Sequence, residues 1–371
     1  MSVPLTLDPE LCRRRQARLK ELLESLSVDA ALIVSHENIQ WLTGFRPHRL
    51  MQAALILETS GRCTLSAPNE IPPHAAADDV VTFPAQHCST LRQDQHQASL
   101  NALGDHLTFA AFQRLGLEGS ICGQHFRHLP GCDPRQLVDL DPELRYLRRR
   151  KDADELKMIQ RAIDCTAAMY RTAREIIAPG ISELDVFNQL QAAAVNVAGE
   201  PLTATGNDYQ CGTPGGPPRD RKCEAGELYI LDLGPCYRGY YADNCRTFSV
   251  SGAPTDEQLA AWEQIVNVLT MVEATVRPGV SGQAVYEQAK AMLDDFAPDA
   301  FFHHLGHGFG LFPHEAPHLN PHWDDRFEVG DCFTAEPGLY TDSLRGGIRL
   351  EQDYRVTETG VERLTDFPLE L

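Results

Sequence analysis

The sequence predicts an α/β amino-terminal domain followed by an α+β carboxy-terminal domain with an internal pseudo-twofold repeat. Three observations predict it. Short apolar runs suited to buried strands alternate with helical patterns in the first 140 residues. A basic stretch then separates two regions of different pattern, and the second region contains one helix–turn–helix signature twice. A chain of 371 residues is also too long for one ordinary core and suits two domains.

In chain order, residues 13–26 read as a charged helix with Leu19, Leu22, Leu23 and Leu26 on one face. Residues 30–34 and 53–57 are apolar runs of strand length. Thr43-Gly44-Phe45 and Thr59-Ser60-Gly61 carry turn chemistry between elements. The basic stretch 145–151 precedes a new helix, which Asp152 caps with Glu155 three residues on, the capping-box spacing. The boundary is placed near residue 150, giving domains of 1–150 and 151–371.

Ala178-Pro179-Gly180-Ile181-Ser182 with Val186, and Arg277-Pro278-Gly279-Val280-Ser281 with Val285, each lie between two helical patterns. Pro-Gly breaks one helix and the serine caps the next, so a duplicated helix pair is expected.

Composition excludes several classes. A net charge of −19 repels nucleic acid and anionic membrane. Residues 1–15 carry Asp8, Glu10 and three arginines with no apolar core, unlike a secretory signal. No stretch approaches the roughly 18 apolar residues of a spanning helix. Eleven cysteines without CxxC spacing suit a reducing cytoplasm and argue against a cysteine zinc site.

Chemistry concentrates after residue 228. Tyr229-Ile230-Leu231-Asp232-Leu233-Gly234 reads as a strand ending at a carboxylate. A turn at Arg238-Gly239 and then Asp243 lead into a second strand, and antiparallel pairing would bring both aspartates to one end. Two carboxylates that close repel unless a cation lies between them. Downstream, Gly306-His307-Gly308 sets an imidazole among glycines that permit close backbone approach. Phe333-Thr334-Ala335-Glu336-Pro337-Gly338 and Gly346-Gly347-Ile348-Arg349-Leu350-Glu351 each bring a glutamate to a strand end. Four carboxylates and one imidazole are hard ligands suited to Mn²⁺, Co²⁺, Zn²⁺ or Fe²⁺. His314-Glu315-Ala316-Pro317-His318 has the letters of the H-E-x-x-H zinc motif. That motif needs a helix, and Pro317 forbids one.

These residues resemble the metallopeptidase family of the pita-bread fold, which includes methionine aminopeptidase, prolidase and aminopeptidase P. Asn38-Ile39-Gln40-Trp41-Leu42-Thr43-Gly44-Phe45 is similar to the signature of the creatinase-like amino-terminal domain of prolidases and aminopeptidases P. The segment ending in Lys151, the Asp232/Asp243 spacing, Gly306-His307-Gly308, His314-Glu315 with Pro317, Glu336-Pro337-Gly338 with Tyr340, and Ile348-Arg349-Leu350-Glu351 match in order across nearly the whole chain.

The resemblance implies two divalent ions, with Mn²⁺ first among the candidates. Asp232 would chelate one ion, Asp243 and Glu351 would bridge both, and His307 and Glu336 would hold the second. It implies an Xaa-Pro dipeptidase-like hydrolase acting on small peptides through a metal-bridged hydroxide, with Glu336 shuttling the water proton to the leaving amine. His314 would hydrogen-bond the tetrahedral centre and His303 would shape the substrate pocket. Arg349 would orient Glu351 or a substrate carboxylate, and Tyr340 would line the substrate site. A homodimer is implied too, the amino-terminal domain of one copy covering part of its partner's site.

Two positions depart from the family pattern. Counting back from Asp232 without gaps, the other catalytic histidine falls at Gly215, and no histidine occurs between residues 137 and 302. Losing one such donor costs about a hundred- to a thousandfold in rate. Asn207, Asp208, Tyr209 and Arg219 flank that segment and are candidates to replace it. Gln352 stands where the family has aspartate, which would weaken support of Glu351. The loss of the histidine leaves two alternatives open: the same fold and ions with a changed, non-peptide substrate, or a catalytically silent relative that holds peptide. The complete ligand set argues against a metal-free, creatinase-like mechanism and against drift in a dead enzyme.

Overall fold

The computed structural model describes residues 5–122, 133–206 and 208–371 and divides the chain into two compact units, Met1–Arg148 and Arg149–Leu371. In the first unit Asp8 caps a helix over Pro9–Ser25, whose Leu19 and Leu23 are fully buried. Strands β1 (Ala30–Ile33), β2 (Ala54–Glu58), β3 (Cys63–Pro68), β4 (Asp79–Phe83), β5 (Leu115–Leu117) and β6 (Leu137–Asp139) form a mixed sheet in the order β4-β3-β2-β1-β5-β6. β1 runs antiparallel to β2 and parallel to β5. The central strands are buried on both faces, as their continuous apolar runs demand. The Asn38–Phe45 signature forms the helix His36–Thr43, stopped by Gly44 in the left-handed conformation.

The second unit opens on a helix over Ala153–Ile176, where Glu155 accepts a hydrogen bond from the Asp152 amide at 2.9 Å. The basic stretch ahead of it is no solvated linker. Arg149 and Lys151 are buried against Asp331 and Glu315, at 2.7 and 2.8 Å.

The duplicated signature holds in three dimensions. Gly180 and Gly279 take positive φ after the first helix of each pair. Ser182 and Ser281 then cap the second helices, Glu183–Ala198 and Gly282–Asp294. The first helix of the second pair is Asp256–Thr275.

Between the pairs, β7 (Leu228–Leu233) and β10 (Asn244–Ser249) pair antiparallel. A two-residue turn at Arg238-Gly239 joins β8 (Cys236–Tyr237) to β9 (Tyr240–Tyr241), and both turn residues have positive φ. After the second pair come β11 (Gly306–Gly308), β12 (Glu315–Leu319), β13 (Cys332–Ala335), β14 (Gly338–Leu339), β15 (Ile348–Arg349), β16 (Gln352–Val356) and β17 (Val361–Arg363). Five of them form the sheet β12-β11-β13-β16-β17. His314 and His318 flank and enter strand β12, so the H-E-x-x-H letters do not lie on a helix. Among the described residues no helix is long and apolar enough to cross a membrane.

Candidate metal centre

The carboxylates arrive at one place because each strand ends there. Asp232 is the fifth residue of β7 and Asp243 immediately precedes β10. Glu351 sits between β15 and β16 and is seated by β10. Its amide donates to the Cys245 carbonyl at 3.0 Å, and its own carbonyl accepts from Asn244 Nδ2 at 2.7 Å. Ligand atoms of Asp232, Asp243 and Glu351 lie within 4.8 Å of one another. Of the further groups that meet the same criterion among the described residues, two join it: Asp243 with His307 and His314, and His304 with His307 and Glu336. Shared members make the three groups one continuous centre. It lies in a cavity of about 580 Å³ lined also by Asp208, Phe302, His303 and Arg349.

The electrostatics show strain that a cation would relieve. Burial pushes Asp232 up to about 6 even though the Arg349 guanidinium opposes the shift. Burial, then the charges of Asp232 and Glu336, push Asp243 well above the carboxylate range. Glu351 is raised likewise, by burial and then by Asp243. One of its oxygens, Oε2, is buried with no hydrogen-bond partner. Like charges at this spacing cannot all ionise without compensation. The oxygen-rich set with one buried, unpartnered carboxylate oxygen therefore fits divalent ions.

The imidazoles divide the remaining work. Burial pushes His307 down to about 3, keeping it neutral as a ligand must be. Its Nδ1 lies 3.0 Å from the Gly308 carbonyl, which leaves Nε2 facing Asp243 at 3.7 Å and Glu336 at 3.5 Å. The His314 ring lies tilted by 40° against His307, with centroids 4.0 Å apart. His303 bonds the His304 carbonyl through Nδ1 at 2.7 Å and the Tyr340 hydroxyl through Nε2 at 2.9 Å.

Sequence reasoning missed His304. Its Nε2 lies 2.9 Å from Glu336 Oε1. Burial would raise Glu336, but this bond and the neighbouring imidazoles hold its carboxyl well below the usual range. The His303-His304 doublet was the signal, and nothing in it says which ring turns toward the glutamate.

Arg349 differs from expectation. Its guanidinium does not bond Glu351; Nη2 reaches Asp232 Oδ2 at 2.8 Å and also Asp208, while Nη1 bonds the Tyr340 hydroxyl at 3.2 Å. The cause is a backbone bridge in which the Asp232 amide donates to the Asp208 carbonyl at 3.0 Å, setting two carboxylates side by side. The Gln352 side chain turns elsewhere. Its Oε1 accepts from Arg246 Nη2 at 3.0 Å and from the Thr365 hydroxyl at 2.7 Å.

Of the residues flanking Gly215, Asn207 lies outside the described residues. Tyr209 is buried, and Arg219 is locked onto Glu183. Asp208 alone of the described candidates lines the cavity.

Comparison with known proteins finds family matches in both units. Residues 157–358 match metallopeptidase family M24, and residues 15–149 match the creatinase/prolidase N-terminal domain. The Xaa-Pro dipeptidase of Pyrococcus horikoshii is 25% identical over 367 residues, covering 98% of this chain and 99% of its own. The Xaa-Pro dipeptidase from Bacillus anthracis shares the fold with a TM-score of 0.83 at 21% identity, over 97% of this chain and 99% of that one. The dipeptidase PepE from Mycobacterium ulcerans has a TM-score of 0.79 at 26% identity, over 99% and 98%.

Proposed function

The chain belongs to metallopeptidase family M24, and from that premise we propose that it cleaves the Xaa-Pro bond of small peptides with two divalent ions, Mn²⁺ first among Mn²⁺, Co²⁺, Zn²⁺ and Fe²⁺. The observation that carries the reading is the meeting of Asp232 and Asp243 from one half of the unit with His307, Glu336 and Glu351 from the other in a single cavity. Asp232, Asp243 and Glu351 would hold one side of the pair of ions, and His307 and Glu336 the other. When bound, such ions supply Lewis-acid polarisation of the scissile carbonyl and bring the ionisation of a water near neutral pH.

The chain's own groups do the rest. A carboxylate oxygen of Glu336, kept ionised by His304, takes the proton of the attacking water and returns it to the leaving prolyl nitrogen. His314 hydrogen-bonds the developing tetrahedral centre. His303 and Tyr340, bonded to each other, form the pocket wall next to Arg349. With glycine at 215, turnover is expected about a hundred- to a thousandfold below that of a site with both histidines. A homodimer and a reducing cytoplasm complete the reading. The first is supported by family resemblance, the second by the ten described cysteines, all free.

The test is hydrolysis of Xaa-Pro dipeptides and Xaa-Pro-Xaa tripeptides by Mn²⁺-loaded protein, with Glu336→Gln as control. Metal-dependent cleavage that falls at least about a hundredfold in the control is expected. Metal-bound wild-type protein that cleaves no Xaa-Pro substrate overturns the proposal.

A further inference from the structure

Glycine at 215 opens space that another side chain fills. A methyl group built on Gly215 would lie 2.7 Å from Asp208 Cγ and closer still to Oδ2, so no side chain at 215 can coexist with Asp208 where it stands. Asp208 is held there from two sides. Oδ1 accepts the Gly216 amide at 2.7 Å, and Oδ2 accepts Arg349 Nη2.

The consequence falls on Arg349. Its side chain is 8% exposed, and it is the only lysine or arginine lining the cavity among the described residues. Nη2 is divided between Asp208 and Asp232, and Nη1 between the Tyr340 hydroxyl and the Pro214 carbonyl at 3.4 Å. Nε is buried. Five carboxylates line the cavity: Asp208, Asp232, Asp243, Glu336 and Glu351. Against them, one guanidinium and two divalent ions leave no net positive charge.

We propose that Asp208 is a specificity-determining residue which, by occupying the space above Gly215 and pairing with Arg349, denies that guanidinium to a substrate carboxylate. The site then favours Xaa-Pro peptides in which the prolyl carbonyl continues into another amide, over dipeptides that end in a prolyl carboxylate. This rests on the Xaa-Pro reading and narrows it. An incoming carboxylate meets a cation already bound twice and a fixed negative charge beside it, whereas a neutral amide meets neither cost.

Ala-Pro and Ala-Pro-NH2 differ only in that carboxylate, and Ala-Pro-Ala supplies the peptide form. The Mn²⁺-loaded wild-type enzyme should turn over the amide and the tripeptide at least about tenfold better than the dipeptide in kcat/KM, with the difference mainly in KM. Asp208→Asn removes the charge and keeps an acceptor for the Gly216 amide. Gly215→Ala displaces the carboxylate without changing any charge, at a residue whose φ is not positive. Each should shrink the amide-to-acid preference by about ten- to a hundredfold, the value of one charge-assisted hydrogen bond. Equal or better use of Ala-Pro by the wild-type enzyme overturns the inference, as does an unchanged preference in both variants with metal content retained.

Equilibrium binding of the same ligands to Mn²⁺-loaded Glu336→Gln separates the two proposals. Tighter binding of the amide than of the acid supports the role of Asp208 even where no peptide is hydrolysed, and tighter binding of the acid overturns it while leaving the hydrolytic reading standing.

Discussion

Replacing Glu183 with alanine tests how the glycine-rich loop is held. Glu183 lies in the first turn of the helix Glu183–Ala198, and its carboxylate is fully buried. It clasps both ends of the segment that carries Gly215. Oε1 accepts the Cys211 amide at 3.0 Å and Arg219 Nη2 at 2.6 Å; Oε2 accepts the Arg219 amide at 2.8 Å and Nε at 3.0 Å.

In Glu183→Ala the buried Cys211 amide is stranded at about 1–3 kcal/mol. The Arg219 guanidinium is 38% exposed and can turn to water, so its share is small. The total is about 1–4 kcal/mol, which for a unit of this size lowers the melting temperature by roughly 2–15 °C. Glu183→Gln keeps one acceptor oxygen and should lose about half as much. Urea titration gives the global effect, and hydrogen exchange at the Cys211 and Arg219 amides gives the local one. A Glu183→Ala protein within 1 kcal/mol of wild type, with both amides as protected as before, would refute the clasp.

Two other perturbations have definite signs. A Cβ on Gly308 would sit 2.5 Å from the Ala316 carbonyl carbon and 3.0 Å from the Glu315 oxygen, both main chain. Gly308→Ala should therefore cost about 1–3 kcal/mol in urea unfolding and reduce Mn²⁺ stoichiometry through the neighbouring His307. Burial pushes the Cys63 and Cys332 thiols from about 9 up to about 12, so the folded state holds those protons longer than the unfolded state. Their contribution is full below about pH 9 and is lost as pH rises toward 12, at about 1 kcal/mol per pH unit per thiol. Urea midpoints under reducing conditions should fall between pH 8.5 and 10.5, and midpoints that rise over that range contradict the assignment.

The centre was legible in the sequence where chemistry and strand pattern coincide. Asp232, Glu336 and Glu351 each follow an apolar run, and His307 stands between glycines whose added Cβ atoms would strike neighbouring strands. The helix pairs were legible because Pro-Gly and a capping serine are local signals. What escaped depends on pairing between distant segments. Asp208 is one of four candidates named beside Gly215, and nothing local singles it out, because its place is set by a bridge to Asp232 and a guanidinium 141 residues away. The resemblance implies that Arg349 orients Glu351 or a substrate carboxylate, whereas its guanidinium crosses to Asp232 on β7. The order of the first sheet was equally hidden, since β4 is mostly half-exposed and presents no continuous apolar run.

The bonds that seat Glu351 reach back 107 residues to the Asn244 side chain and 105 to the guanidinium of Arg246. Both helix pairs can form from nearby chain, but these bonds close loops of more than a hundred residues. Contacts so distant are entropically costly to bring together and form slowly. Ion capture, which needs residues from both sides of that closure, is then a natural clock for the last stage of folding.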